Sequence, residues 1–263
     1  GRRRVFDTQA VDRMVREGIK RLTAMQVSDG GWGWFSGWGE RSSPHTTAVV
    51  VRGLQQATRH GAAVPASTLK RGRDWLGRYQ SEQRTRLANA AKRIQPWKAH
   101  ADELDALVFT VLAEAERDDA VMRDLLYRDR NHLSVYSKAL LGLAMHHRDR
   151  TAERDMLLRN IEQFRVEDRE NQTSYLELGN GGYWWRWYGQ DAETHAAYLR
   201  LRNAVDPKSA RTAGVVKYLL NNRRHGAYWD STRDTAYCIE ALAEYLLASG
   251  ERAAEMAVTL TLD

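Results

Sequence analysis

Carboxylates, one thiol and several imidazoles fall near the starts of helix-like segments, and their spacing raises three kinds of chemistry. Glu103, Asp105, Glu193, Asp230 and Asp234 are the residue type that glycoside-cleaving enzymes pair, one as acid and one as base or nucleophile. The same type is common in the first turn of a helix, where the macrodipole favours negative charge, so each also has a purely structural reading. Ser231 and Asp234 in particular are spaced as a capping arrangement. Asp234 and Cys238 lie one helical turn apart, and with His195 or His225 they would make a zinc-ligand set. A lone cysteine on an apolar helix face is more often core. Cyclising an isoprenoid by protonation needs a cluster of the Asp-x-Asp-Asp kind, which neither Asp118-Asp119 nor the run Arg128, Asp129, Arg130 supplies. No metal and no organic cofactor is expected.

The tryptophans are the other reactive surface, since flat aromatics stack on sugars and stabilise cations. Trp32, Trp34, Trp184 and Trp229 stand in or beside glycine turns, where a large ring has area to bury between diverging helices. They are read as wedges rather than as a platform. The run "YWWRWYG" at 183–189 is denser than a joint needs, so Trp185, Trp187 and Tyr188 are read as partner-facing. Trp38 lies beyond the repeated part of its turn and keeps a contact role.

The elements that must position these residues are helical. Apolar residues recur at i, i+3, i+4 and i+7, which predicts helices at 8–26, 44–60, 66–83, 101–116, 121–129, 134–148, 152–166, 192–205, 210–222 and 233–249. These pair into hairpins with a period of about 45 to 50 residues, in the range of stacked or ring-closed helical units. The second helix of each pair is the more apolar, as in "ELDALVFTVLAEA", and the first is strongly amphipathic, as in "TLKRGRDWLGRYQ". One set buried nearly all round and one with a wet face is what two concentric layers require. The predicted fold is therefore an all-α, α/α toroid.

The joints repeat as well: "QVSDGGWGWF", "LELGNGGYWWRW" and "NNRRHGAYWD" each place Asn or Asp, then Gly, then aromatics. Gly30, Gly182 and Gly226 suit the positive φ of a helix end, and a Ser or Thr follows to cap the next helix.

The chain has 263 residues and 43% hydrophobic content, enough for a sizeable core. Its 40 Lys and Arg against 34 Asp and Glu give a net charge of +6, but basic and acidic residues alternate along helices, unlike the concentrated stripe of a nucleic-acid binder. No nucleic-acid partner is expected. The single cysteine excludes an internal disulfide, and no apolar run approaches the roughly 20 residues of a membrane span, so no direct membrane insertion is expected. The ending "MAVTLTLD" alternates like a strand, which predicts a toroid domain at 1–250 followed at 251–263 by the start of a β-rich domain or a linker.

Leu22-x3-Gln26-x3-Gly30-x-Trp32 resembles the QW motif of terpene cyclases and protein prenyltransferase β subunits, which share the α/α toroid. A closer likeness is to the thioester domain of bacterial α2-macroglobulins, a branch of the same superfamily. It rests on "DGGWGWF" with "SPHTTAVVVRGLQQA", on "DAETHAAYLRLRNAVDP", and on "YLLNNRRHGAYWDSTRDTAYCIEALAEY". It runs from about Val11 to Gly250 and is weakest at 84–101, where "RLANAAKRIQPWKAH" replaces the expected aromatic-glycine turn.

The resemblance implies a domain that is non-catalytic by itself within a larger parent chain, a protease trap in the periplasm, on the cell surface or secreted, with a target protease as partner. In that family a Cys-Gly-Glu-Gln type motif forms a reactive thioester. Residues 1–263 contain no such motif, and Cys238, followed by Ile239 and Glu240, is not that nucleophile. The motif is expected just before Gly1, on a sixth apolar helix beside the five visible, or the parent lacks it. A histidine can assist acyl transfer in the family, and His100 lies in the corresponding region; its plainer reading is an exposed loop histidine. The competing readings are a toroid enzyme acting on polysaccharide or isoprenoid, and a surface ligand-binding module built on the aromatics at 183–189.

Overall fold

The computed structural model describes residues 7–35, 39–179, 191–224, 226 and 228–250. Within them lie ten α-helices and one hairpin. The helices are α1 (Thr8–Ala24), α2 (Pro44–Arg59), α3 (Ala66–Asn89), α4 (Glu103–Ala113), α5 (Ala120–Arg128), α6 (Val135–His146), α7 (Thr151–Glu162), α8 (Asp191–Val205), α9 (Ala210–Asn221) and α10 (Thr232–Ser249). Strands β1 (Arg165–Asp168) and β2 (Thr173–Leu176) fall between α7 and α8. The chain divides into two compact units, Gly1–Leu133 and Ser134–Asp263.

Helix starts follow capping chemistry. Ser43, Ser134, Ser209 and Ser231 each accept a backbone N–H three residues on, satisfying a donor that has no partner within the helix. Asp102 and Asp105 close a reciprocal capping box at the start of α4.

In the first unit α2 packs on α3 and α4, and α5 lies against α3 and α4. In the second, α8 packs on α10, α6 and α9, while α7 covers α6. α4 is buried continuously from Asp105 to Ala113, α6 from Tyr136 to Met145, and α8 from Ala192 to Asn203. Burial nearly all round does not extend to α2 and α10. Val49 and Val50 of α2 are half-buried, and α10, whose main neighbour is α8, exposes Ile239, Leu246 and Leu247.

Two helix ends depart most from the periodicity. α3 continues to Asn89 rather than 83, because no Gly or Pro interrupts "SEQRTRLAN" and both Leu87 and the Arg84–Asp119 ion pair hold the extra turns. The stop comes just beyond, where Arg93 takes a left-handed conformation. α7 ends at Glu162 rather than 166. The chain there forms the antiparallel hairpin, with Val166 opposite Tyr175 and Asp168 opposite Thr173. Asp168 accepts the backbone N–H groups of Glu170 and Asn171, an Asx turn that reverses the chain. The expected boundary at 250 and the strand-like 251–263 lie outside the described residues.

Candidate functional site at the aromatic joints

The first joint is built around Trp32, which is 2% exposed. Its indole N–H donates to the carbonyl of Leu22 at 2.7 Å, back in α1. Its backbone N–H donates to Thr47 Oγ1 at 2.9 Å, forward in α2, and the Thr47 hydroxyl returns a bond to the Trp32 carbonyl. Gln26 Nε2 donates to the carbonyls of Gly30 (2.8 Å) and Thr68 (2.9 Å), and Arg71 donates to Gln26 Oε1. One glutamine thus ties the end of α1 to its own turn and to α3. Gly30 is required twice: φ is +100°, and a Cβ would stand 2.9 Å from the Arg71 carbonyl oxygen. Gly72 lets α3 approach, since a Cβ there would meet the Trp32 ring at 2.7 Å.

Asp29 carries no signal of its own in the sequence beyond the turn composition of "SDGG", yet it organises the outside of this turn. It accepts from the Gly31 N–H (3.0 Å), Ser42 Oγ (2.6 Å) and Trp75 Nε1 (2.9 Å), and its carbonyl accepts from Arg78. Burial opposes its charge, but bonds from Ser42, Gly31 and Trp75 and the Arg78 charge outweigh it and hold the carboxyl below its ordinary value.

The third joint repeats the first. The Trp229 indole N–H donates to the carbonyl of Leu219, again ten residues back, at 3.1 Å, and its backbone N–H donates to Thr235 Oγ1 at 3.1 Å. Trp229 is 4% exposed, and Gly226 has φ +73°. Ser231 Oγ donates to Asp234 Oδ2 at 2.6 Å and accepts the Asp234 N–H at 3.0 Å. Trp34 is different: it is 54% exposed and stacks on His45 with centroids 6.1 Å apart, so the expected wedge is corrected there. The physical reason is the bend at Trp34 and Phe35, where the Trp34 backbone N–H donates to Glu40 Oε1 at 2.7 Å and both side chains leave the joint that Trp32 fills. Gly182, Trp184, Trp185, Trp187, Tyr188, Trp38 and His225 lie outside the described residues.

The carboxylates are each engaged at a helix start. Glu193 is buried against Arg233 (2.9 Å), and Asp230 pairs with Arg224. Asp105 is fully buried, in contact with Lys98 and bonded to the Asp102 N–H at 3.0 Å. Burial, with the Asp102 charge beside it, pushes its pKa up to about 6 in spite of Lys98. Glu103, half-buried, stands in the same first turn. Among the described residues of either unit, no two of these form an acid and base pair open to a substrate.

With His195 as its third member, the zinc-ligand set fails on the imidazole. His195 Nε2 accepts the Leu176 N–H at 2.9 Å, and Nδ1 lies 2.8 Å from the Asp191 carbonyl oxygen. Both nitrogens are used, and the ring must be neutral with its proton on Nδ1. Cys238 is buried beside the Ala192 carbonyl, and burial together with Asp234, Glu193 and Asp191 pushes its thiol up to about 12. Among the described residues no group of three His, Cys, Asp or Glu side chains is placed to hold a metal.

His195 makes a pH prediction. Burial lowers its pKa against the opposing pull of Asp191, so the unfolded chain binds this proton more tightly, and stability falls as pH drops below the ordinary histidine value of about 6.5. Asp105 acts with the opposite sign: its folded pKa is the higher, so its contribution is lost as pH rises from about 4 to about 6. Urea unfolding between pH 7 and 5 should show declining stability that His195→Gln reduces and Asp105→Asn steepens. The same slope in all three proteins would contradict these assignments.

His100 is 49% exposed on its side chain, stacks on His132 with centroids 3.8 Å apart, and has Nδ1 3.7 Å from Asp129 Oδ1. Asp129 is buried and accepts from Arg128 and from the Ala101 N–H at 2.8 Å. His100 is therefore an oriented surface histidine.

A family model of the A-macroglobulin TED domain matches residues 3–245. The chain belongs to the A-macroglobulin TED domain family. An α-2-macroglobulin of Thermotoga maritima is 29% identical over 134 residues, half of this chain and 8% of that protein. Among solved structures, native Escherichia coli α-2-macroglobulin, from domain MG7 to the C-terminus, superposes with TM-score 0.63 at 20% identity, over 92% of this chain and 35% of that one. Salmonella α-2-macroglobulin reacted with methylamine gives TM-score 0.67 at 19% identity over 91% of this chain and 15% of that one. At these identities the solved structures establish the fold, the all-α toroid class of TED domains. The chain spans well under half the length of each of these relatives.

Proposed function

We propose that this chain is the thioester-type domain of a bacterial α2-macroglobulin-like protease trap, non-catalytic by itself and working with other domains of a longer parent chain. The observation that carries the reading is the TED match over residues 3–245, which runs through both described Trp joints. One relative's solved form is E. coli α-2-macroglobulin activated by porcine elastase, and a protease target is the corresponding partner here. The apolar side chains exposed on α1 (Val11, Met14) and α10 (Ile239, Leu246, Leu247) suit cover by neighbouring domains. No helix among the described residues is long and apolar enough to cross a membrane; the periplasm, the cell surface or the medium is the proposed setting.

In such a trap, cleavage by the protease shifts the parent's conformation and exposes an acyl–sulfur bond until then shielded from water. A lysine amine or a hydroxyl of the protease then forms a bond to the acyl carbon, the carbon–sulfur bond breaks, and the thiol leaves with the proton. His100, held beside Asp129, is this chain's candidate for assisting transfer to a hydroxyl. Methylamine tests the covalent step. The intact parent should gain the mass of one methylamine and one free thiol, and absence of both would remove the thioester from the mechanism. The 263-residue chain is the control: methylamine should add nothing, and buried Cys238 should react with a thiol reagent only on unfolding. A thiol that reacts in the folded chain would contradict its placement.

A further inference from the structure

The segment 84–100 carries five Lys or Arg and no Asp or Glu. Its loop folds back on the end of α3. Ile94 N–H donates to the Asn89 carbonyl, the Asn89 side chain donates to the Pro96 carbonyl, and Lys98 N–H donates to the Arg86 carbonyl. These bonds hold Arg86, Lys92, Arg93, Ile94 and Trp97 on one short folded-back segment. The other two cations are neutralised, Arg84 by Asp119 and Lys98 by Asp102 and Asp105. Arg86, Lys92 and Arg93 are exposed and form no ion pair among the described residues. Beside them Ile94 is 51% exposed and Trp97 38%. The patch is thus both apolar and net cationic, and its backbone bonds mean that little ordering remains to be done on docking.

We propose that this loop is a docking foot for an anionic lipid surface, with Arg86, Lys92 and Arg93 over the headgroups and Ile94 and Trp97 seated at the headgroup–acyl boundary. A bilayer surface satisfies both halves of the patch at once: anionic headgroups attract juxtaposed cations, and tryptophan is enriched at membrane interfaces. An acidic polypeptide would pair the cations but has no inherent use for the apolar pair. The contact lies on the membrane and does not span it. It goes beyond the protease-trap reading and does not rest on it.

The test is co-sedimentation of the 263-residue chain with phosphatidylcholine vesicles, with and without one quarter phosphatidylglycerol. Each unpaired cation is worth roughly fivefold near an anionic surface, so the anionic vesicles should bind on the order of a hundredfold better, less so in high salt. K92E/R93E should lose most of that preference, and I94S/W97S should weaken binding to the anionic vesicles about tenfold or more. All these positions are exposed, and unchanged far-ultraviolet circular dichroism would verify the fold. Equal binding to both vesicle types, or wild-type retention in K92E/R93E, would overturn the proposal. So would competition by polyglutamate together with unaltered binding by I94S/W97S, which would assign the patch to an acidic polypeptide.

Discussion

Trp32→Ala is expected to destabilise the chain by about 3–5 kcal/mol, lowering the melting temperature by roughly 10 °C or more. The ring is almost fully enclosed, with Gly72 shaped to admit it, so removal leaves a cavity against α3 that the helix cannot close without moving. The Leu22 carbonyl and the Thr47 hydroxyl lie on either side of the same residue, so the cavity opens where α1, α2 and α3 are joined. Trp32→Phe separates packing from hydrogen bonding. It keeps most of the volume but leaves the Leu22 carbonyl without its donor, a loss of about 1–2 kcal/mol. Trp34→Ala, two residues on and half exposed, should change stability by less than about 0.5 kcal/mol. Thermal unfolding of the three variants checks the ranking, and comparable losses at Trp32 and Trp34 would refute the joint as described.

Arg202→Ala carries the second large effect, again about 3–5 kcal/mol. Its guanidinium, 6% exposed, donates to Glu162 Oε1 of α7 at 3.2 Å, to Ser209 Oγ at 2.8 Å and to Thr212 Oγ1 at 3.4 Å. Glu162 also accepts from the Tyr198 hydroxyl at 3.2 Å. Alanine would leave that largely enclosed carboxylate with only the longer contact to half-exposed Arg211 at 3.6 Å and the Tyr198 hydroxyl, and withdraw a partner from the residue that caps α9. Arg202→Met keeps the stem and most of the packing but removes the nearer cation from Glu162 just as alanine does. If the lost charge pairing dominates, methionine should recover only a small part of the loss; if packing dominates, methionine should recover most. Urea denaturation decides between them. A loss below about 1 kcal/mol for Arg202→Ala would place this group in the class of surface ion pairs.

Helix positions were legible because apolar spacing and capping residues agree at most starts: Ser43, Ser134, Ser209 and Ser231 announce α2, α6, α9 and α10 in the sequence itself. The hairpin at 165–176 was not legible. Its Asx turn depends on Asp168 and Asn171, and its burial depends on His195 accepting the Leu176 N–H, a contact made across 19 residues that no local pattern encodes. The joint glycines and tryptophans were visible as a repeat. That Trp32 is buried while Trp34 is exposed follows only once Thr47 fixes the backbone of the turn. Asp29 and Arg71 were missed for a similar reason: polar residues in a turn carry no period, and what they bond is set by where α3 lies. Likewise, Arg202 reads as one more charge on a helix until α7 and α9 are placed around it.

The central claim, that this TED domain serves a protease trap, is tested most directly on the intact parent chain mixed with a serine protease such as elastase or trypsin. A trap should yield a complex in which the protease still hydrolyses a small peptide substrate but no longer degrades a large folded protein. Protease that remains uncomplexed and equally active on both substrates would contradict it.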